Sequence, residues 1–316
     1  MSEKARALWY VGAGRAEIRD ERLQSLAAGH VRVRALHGAI SRGTESLIAA
    51  GRVPVSEFQR MRAPFMAGAF PFPVKYGYAT VGLVEEAAVF TLYPHQTLFD
   101  VPAEAAIPVP SSVPAARAVL AANMETALNA VWDAGDGPFG KVAVVGAGVV
   151  GALTGYLLHR LAGADVVLVD VNPARAKLAA ALGLAFALPS EAPGDGALVV
   201  HASASAAGLA TALSLAGNEA TVLELSWYGD AEVPVPLGAA FHSRRLKLIA
   251  SQVGQVAPSH RRDWTYRRRL EKALSLLDDD RLDALIEPPV SFESLPAELP
   301  RLLRPGSAIL CQRIDY

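Results

Sequence analysis

The sequence predicts an α/β chain: a β-rich beginning, then a doubly wound parallel sheet with helices on both faces. Three observations predict it. From Ala5 to about Pro110, short runs of β-branched and aromatic residues sit between Gly and Pro. Beyond Pro114, strand-like and helix-like runs alternate, the pattern of βαβ units. The strand runs in that part, Val142-Ala143-Val144-Val145 and Val166-Val167-Leu168-Val169, are apolar throughout, as parallel strands covered on both faces are.

In chain order, strands are expected at Ala7–Val11, Val31–Leu36, Gly82–Glu85 and Gln96–Val101. Apolar and polar residues alternate along Val31–Leu36, which suits a barrel-like β domain with one face buried. An Ala- and Leu-rich helix follows over Ala115–Trp132. Strands Lys141–Val145, Asp165–Asp170, Gly196–His201 and Thr221–Leu225 then alternate with helices Val149–Leu161, Pro173–Leu182 and Ala206–Ala216. Leu246–Ala250 closes the sheet, and the tail holds a helix near Asp263–Leu277, a short run at Leu285-Ile286 and a last apolar run at Ala308–Cys311. Three segments result: residues 1–113, the sheet-and-helix segment 114–255, and a tail, 256–316, that rejoins the first.

Lys and Arg total 30 against 31 Asp and Glu, a formal net charge of −1. That balance removes the electrostatic reason to expect a nucleic acid or an anionic membrane as partner. The basic cluster Arg261, Arg262, Arg267, Arg268 and Arg269 reads as a solvated helix face, because Asp278, Asp279 and Asp280 follow at once. A single cysteine, Cys311, excludes an internal disulfide and a Cys-based zinc cluster. The start, Met1-Ser2-Glu3-Lys4-Ala5-Arg6, leads into a strand-like run and not into an apolar signal core, so a cytoplasmic protein is expected.

Gly146-Ala147-Gly148-Val149-Val150-Gly151 follows an apolar strand and opens a helix. In that context GxGxxG has a mechanism. Gly146 allows the tight turn, Gly148 lets the backbone approach a pyrophosphate, and Gly151 allows close helix-to-strand packing. The helix start, with Val149 and Val150, offers N–H groups and a positive dipole to the phosphates. A second apolar strand ends in Asp170, at the spacing of about twenty residues where a carboxylate accepts ribose hydroxyls. Asp170 also repels a 2′-phosphate, so NAD is favoured over NADP, with Arg175 softening the preference. Val171 and Asn172 border the adenosine side, and Ala202 and Ser203 follow the next parallel strand.

The chain resembles the medium-chain dehydrogenase/reductase superfamily over nearly its whole length. The residues that carry the resemblance are Gly38-Ala39-Ile40-Ser41-Arg42-Gly43-Thr44-Glu45, Lys75-Tyr76-Gly77-Tyr78-Ala79-Thr80-Val81-Gly82 and Ala197-Leu198-Val199-Val200-His201-Ala202-Ser203. It looks most like a bacterial branch of zinc-dehydrogenase homologues that includes bacteriochlorophyllide dehydrogenases, which oxidise a hydroxyethyl substituent on a chlorin. The resemblance implies a Rossmann domain plus a GroES-like β-barrel catalytic domain, and a homodimer paired through the sheet edge at Leu246–Ala250. It departs from the zinc members where the metal would sit. Ser41 or Arg42 stands at the Cys position and Gly77-Tyr78-Ala79 replaces Gly-His-Glu, leaving Glu125 as the one carboxylate, so no zinc is expected.

At the positions that face the nicotinamide in the family, this chain supplies Ser41, Arg42, Thr44, Tyr78, His95 and Glu125. The resemblance makes Thr44 a proton relay and Tyr78 a donor to the substrate oxygen; Arg42 would stabilise negative charge, with Glu125 holding it as an ion pair. Against these stand plainer readings: Tyr78 filling the volume left by the metal, Thr44 capping a helix, and His95 as a loop residue with local hydrogen bonds. Arg60, Arg62 and Lys75, flanking Phe65, Phe70 and Phe72, form either a substrate lid or packing on the barrel. Three functions remain open: a zinc-independent NAD(P)-dependent oxidoreductase on an alcohol/carbonyl pair, a zinc-free enone or quinone reductase, or a dinucleotide-binding subunit without catalysis.

Overall fold

The computed structural model describes residues 4–316. Met1–Glu3, part of the N-terminal run without a signal pattern, lie outside the described residues. The elements in order are β1 (Lys4–Gly12), β2 (Arg15–Arg22), β3 (His30–Ile40), α1 (Arg42–Ala49), β4 (Ala67–Gly68), β5 (Val74–Lys75), β6 (Thr80–Val84), β7 (Ala87–Thr91), β8 (Leu98–Pro102) and β9 (Ile107–Pro108). There follow α2 (Ala115–Ala118), α3 (Ala121–Ala134), β10 (Lys141–Val145), α4 (Val149–Ala162), β11 (Asp165–Val169), α5 (Arg175–Ala181), β12 (Ala185–Ala187), β13 (Gly196–His201), α6 (Ala206–Leu215), β14 (Ala216–Glu224) and β15 (Lys247–Ala250). The last are α7 (Tyr266–Ser275), β16 (Ile286–Ser291), α8 (Leu295–Leu302) and β17 (Cys311–Asp315). The chain divides into two compact units, Met1–Ala122 with Leu270–Tyr316, and Asn123–Arg269.

The first unit is the β-rich one. A small sheet has the order β2-β1-β5-β4, and a mixed sheet runs β16-β17-β3-β6-β7-β9 with β8 also paired to β3. Alternation along β3 buries Val33 and Ala35 with Arg34 outside. It stops at Gly38-Ala39-Ile40, which are all buried where β3 has β17 on one side and β6 on the other. Val33, Ala35, Val89, Phe99 and Val101 form the core beneath this sheet. The tail supplies β17 at Cys311–Asp315, downstream of the apolar run at Ala308–Cys311, because pairing with β3 and not hydrophobicity fixes the strand. Strand β2 was hidden from pattern reading by its charges (Arg15 to Arg22), the composition of a protected edge. In the Pro-rich insertion the cations have partners within the unit: Lys75 donates to Glu21 and Gln96, and Arg62 to the carbonyls of Gly68 and Met66.

The second unit holds a six-stranded parallel sheet in the order β12-β11-β10-β13-β14-β15. Counted within the unit this is 3-2-1-4-5-6, the doubly wound Rossmann order, whose direction reverses between β10 and β13 and opens a crevice at their carboxyl ends. Val145, Val169, Val199, Leu213 and Val222 pack together in its core. The edge strand β15 leaves Leu248 and Ile249 each 37% exposed. The Ala/Leu-rich run at 115–132 forms two helices, α2 and α3. The arginine cluster is not uniformly solvated. Arg269 is 2% exposed and donates to Glu125, Asn129 and the carbonyls of Gln255 and Val253, so burial with full hydrogen bonding decides its place over charge patterning. Among the described residues no helix is long and apolar enough to cross a membrane.

Candidate functional site

In the first unit, the turn from β3 into α1 gathers polar side chains that are remote in sequence. Ser41 is the N-cap residue of α1, but its side chain makes no capping bond. Glu45 does that work from one turn on: its Oε1 accepts the Ser41 N–H at 2.8 Å. Thr44 therefore does not cap the helix, and its hydroxyl is available for other partners. The Tyr78 hydroxyl lies 2.6 Å from Ser41 Oγ and 3.1 Å from Thr44 Oγ1. A phenol carries one proton, so Tyr78 donates to one of these oxygens and accepts from the other. Burial pushes the Tyr78 phenol above its ordinary value, and the bonds to Ser41 and Thr44 oppose that rise, so it stays protonated at neutral pH.

Beneath the hydroxyl trio lies a fully buried carboxylate. Glu45 Oε2 accepts from the Tyr10 hydroxyl at 2.7 Å and lies 2.9 Å from His95 Nε2. Burial and then the Glu45 charge push the Tyr10 phenol well above its ordinary value. His95 lies in the loop between β7 and β8, as expected, but its side-chain bond is long-range and not local. It is buried behind Gly77 with its hydrogen bond on Glu45, and a Cβ at Gly77 would come within 2.9 Å of its ring. Gly77 has φ +127, which only glycine adopts readily, so the Gly77-Tyr78 step is set by the imidazole behind it. Among the described residues, His95 Nδ1 has no hydrogen-bond partner.

Arg42 and Glu125, expected as an ion pair, each have partners within their own unit. Arg42 donates to the carbonyls of Leu302, Ser307 and Ile309 at 2.8–3.0 Å, and to that of Arg304 at 3.4 Å. Glu125 pairs with Arg269 at 3.0 Å, and burial raises its carboxyl against the opposing pull of Arg269. Backbone carbonyls saturate a guanidinium as well as a carboxylate does, and side-chain pairing logic does not see them. Among the described residues no three His, Cys, Asp or Glu side chains gather as a metal site requires. The donors around Tyr78 are hydroxyls, and Glu45 already serves Ser41, Tyr10 and His95, so this donor set does not fit zinc.

In the second unit, the turn after β10 is bare. Gly146 has φ +105, and a Cβ there would meet Ser203 N at 2.7 Å. A Cβ at Gly151 would overlap the Gly146 carbonyl, so the helix can approach the strand only as glycine. Gly148 is different: its N-cap backbone is extended (φ −76, ψ −176), no side chain caps the helix, and a Cβ would meet nothing within 4 Å. Open space in front of an uncapped helix start is what a pyrophosphate requires, and Val149 and Val150 supply the first helical N–H groups. Asp170 sits beside it, its two oxygens accepting the N–H groups of Ala147 and Asn172, each at 2.8 Å. Carboxylate oxygens accept more than one bond, so both stay able to receive ribose hydroxyls. Val171, next to it, is 81% exposed. Arg175 opens α5, and Ala202 and Ser203 lie against Gly146. A dinucleotide therefore fits this turn.

Sequence reasoning missed Tyr10 and Glu45 as the support of the trio, and His201, Glu224 and Tyr228 at the far side of the crevice. His201 and Glu224 each end a strand of the parallel sheet after a short apolar run, and a charged or imidazole residue at that point was the available signal.

The ketopantoate reductase PanE/ApbA family model matches residues 142–220, the nucleotide-fold half of the second unit. No curated protein matches the sequence. Among solved structures, L-idonate 5-dehydrogenase from Escherichia coli K-12 is 14% identical with a TM-score of 0.81, over 100% of this chain and 99% of that one. A short chain alcohol dehydrogenase from E. coli CFT073, complexed with NADH, is 16% identical with a TM-score of 0.76, over 99% of both chains. TarJ of Staphylococcus aureus in complex with NADPH is 13% identical with a TM-score of 0.75, over 99% of both. At these identities the likeness establishes the fold: a Rossmann sheet with a GroES-like β unit.

Proposed function

We propose that the chain is a zinc-independent, nicotinamide-dinucleotide-dependent oxidoreductase acting on an alcohol/carbonyl pair, of the zinc-lacking branch that the sequence resembles. The observation that carries this reading is the uncapped glycine turn with Asp170 beside it, which suits a dinucleotide and has no other evident use. Similar folds that bind NADH and NADPH support it. Asp170 favours NAD, since a 2′-phosphate would face its charge.

Gly146, Gly148, Val149, Val150 and Gly151 would hold the pyrophosphate, and Asp170 the adenosine ribose. The bound dinucleotide supplies the hydride donor or acceptor. The chain supplies proton handling: Tyr78 Oη, protonated and linked to Ser41 and Thr44, gives its proton to a carbonyl oxygen as hydride arrives and is left as phenolate, and in the reverse direction the phenolate takes the proton back from the alcohol. Glu45 keeps Ser41 in place from below, with Tyr10 and His95 as its own supports. Arg42 anchors α1 to the tail rather than meeting substrate. The exposed edge β15 suits pairing with a second copy, so a homodimer is part of the proposal.

Calorimetry with NAD⁺, NADH, NADP⁺ and NADPH tests the cofactor, followed by a screen of ketones, enones and quinones. Micromolar NADH binding with ketone reduction supports the reading. Binding of none of the four sinks it, and reduction restricted to enones or quinones moves it to the other reductase class.

A further inference from the structure

Behind the turn from β3 into α1, the first unit contains a cavity of about 300 Å³ that the proposed function leaves unused. Helix α1 forms one wall through Ser46, Ala49 and Ala50. Helix α8 and the residues after it form the other, through Leu299 and Leu303. Tyr10 of β1 and Ala16 of β2 also line it. At about 100° per residue, Thr44 stands roughly 200° round α1 from Ser46. The cavity therefore lies on the far side of the helix from the hydroxyl trio.

Its walls have little hydrogen bonding left to give. The Tyr10 hydroxyl gives its proton to Glu45 Oε2 at 2.7 Å, and the Ser46 hydroxyl gives its own to the Gly43 carbonyl at 3.2 Å. The side chains of Ala16, Ala49, Leu299 and Leu303 offer apolar surface only. Two cations remain: Arg15, which opens β2, and Arg304, just past α8. Both are exposed, and among the described residues neither guanidinium is given to an acceptor or stacked on a ring. No Asp or Glu lines the cavity to neutralise them. Apolar walls with guanidinium donors at the rim match an apolar body with an anionic head. A guanidinium fork takes a planar carboxylate through two parallel N–H bonds. The volume is at the lower end of the range for small-molecule sites, about 300–1,000 Å³, so the body is short.

The same walls hold the α1 turn in place. Arg42 stands one turn before Ser46 on the same face of α1, and its partners are the carbonyls of Leu302, Arg304, Ser307 and Ile309, in and beyond the second wall. Tyr10 reaches from the cavity to Glu45, whose other oxygen accepts the Ser41 N–H. We propose that this cavity is a regulatory site for a short apolar carboxylate, held by Arg15 and Arg304, whose binding braces α1 against α8 and so steadies the turn that carries Ser41 and Thr44. A ligand that touches both walls binds the closed arrangement best and shifts the population toward it. The binding site stands on the first unit alone; its bearing on catalysis rests on the reading of the hydroxyl trio as the group that handles the proton.

Titration calorimetry of the intact protein with octanoate tests the site, with octanol as the same chain without the charge. Octanoate is expected to bind with a Kd on the order of 0.1 mM, and octanol about tenfold more weakly or worse. Arg15→Gln combined with Arg304→Gln, both at exposed positions, should weaken octanoate by about tenfold or more. Ala50→Trp, an exposed position at the rim, should block the mouth and abolish binding. Hydrogen exchange across Ser41–Ala50 should slow several-fold with octanoate bound to wild type, and should not change in Ala50→Trp. Absence of octanoate binding, equal affinity for octanol, or undiminished octanoate binding by the folded variants overturns the site. Octanoate binding with unchanged exchange at Ser41–Ala50 overturns the regulatory role. These readouts need neither cofactor nor turnover, so a failure here is distinct from a failure of the oxidoreductase reading.

Discussion

Two helix starts in this molecule solve the same problem in opposite ways. Both α1 and α4 follow a strand directly and begin with unpaired N–H groups. At α1 the chain surrounds the turn with side chains: Glu45 reaches back to Ser41 N–H, and Ser41, Thr44 and Tyr78 join their hydroxyls above it. At α4 the chain removes side chains altogether, leaving glycine, open space and no cap. The first turn carries its chemistry in side-chain oxygens and the second in backbone amides. A start already satisfied by its own residues is suited to act on a ligand. A start left unsatisfied is suited to hold one.

The comparison breaks hardest at Tyr78. Tyr78→Phe, or Thr44→Val, should slow single-turnover hydride transfer by ~10²–10⁴-fold while leaving NADH affinity unchanged. Equal rates in both variants would mean that the trio only fills space. Next comes its support. Glu45→Leu leaves the Ser41 N–H, the Tyr10 hydroxyl and His95 Nε2 without an acceptor in the core, and should cost about 3–5 kcal/mol, read from urea unfolding. The α4 turn separates into two glycines. Gly151→Ala collides with the Gly146 carbonyl and should lower stability by ~1–3 kcal/mol, since backbone has to move. Gly148→Ala meets nothing in the protein, so it should melt like wild type yet bind NADH about tenfold more weakly or worse. Matching losses in the two variants would mean that the two glycines do not divide into one for packing and one for ligand space.

The smallest effect concerns acid. Glu224 is held below the usual carboxylate range, so its stabilisation is complete above about pH 4.5 and is lost as pH falls through the lowered value. Between about pH 5 and 3, the melting temperature of wild type should therefore fall more steeply than that of Glu224→Gln. Parallel curves would show that His201 contributes nothing to that carboxylate.

What was legible in the sequence follows from the same contrast. The α4 turn could be read because its physics selects one residue type at fixed spacing, between strands whose burial on both faces makes them apolar. The doubly wound order then follows from alternation. The α1 turn could not be read to the same depth. Tyr10, Ser41, Glu45 and His95 meet only after three strands are in register, and nothing in their spacing announces it. His201 and Glu224 share that difficulty, since strand order in the sheet makes them neighbours. The carbonyl partners of Arg42 were hidden for a related reason: opposite charges suggest partners, but carbonyls at a helix end compete equally well and carry no letter in the sequence.

The Arg42 clamp has a consequence for synthesis. Its guanidinium holds carbonyls from residues 302 to 309, and β3, the strand leading into that turn, takes β17 as a neighbour. While the ribosome is still translating residue 270, the first unit has neither, so α1 would emerge unanchored. The second unit, contiguous from 123 to 269, is complete in sequence before any of those partners is made. Maturation would run from the middle outward, with proton chemistry the last property acquired.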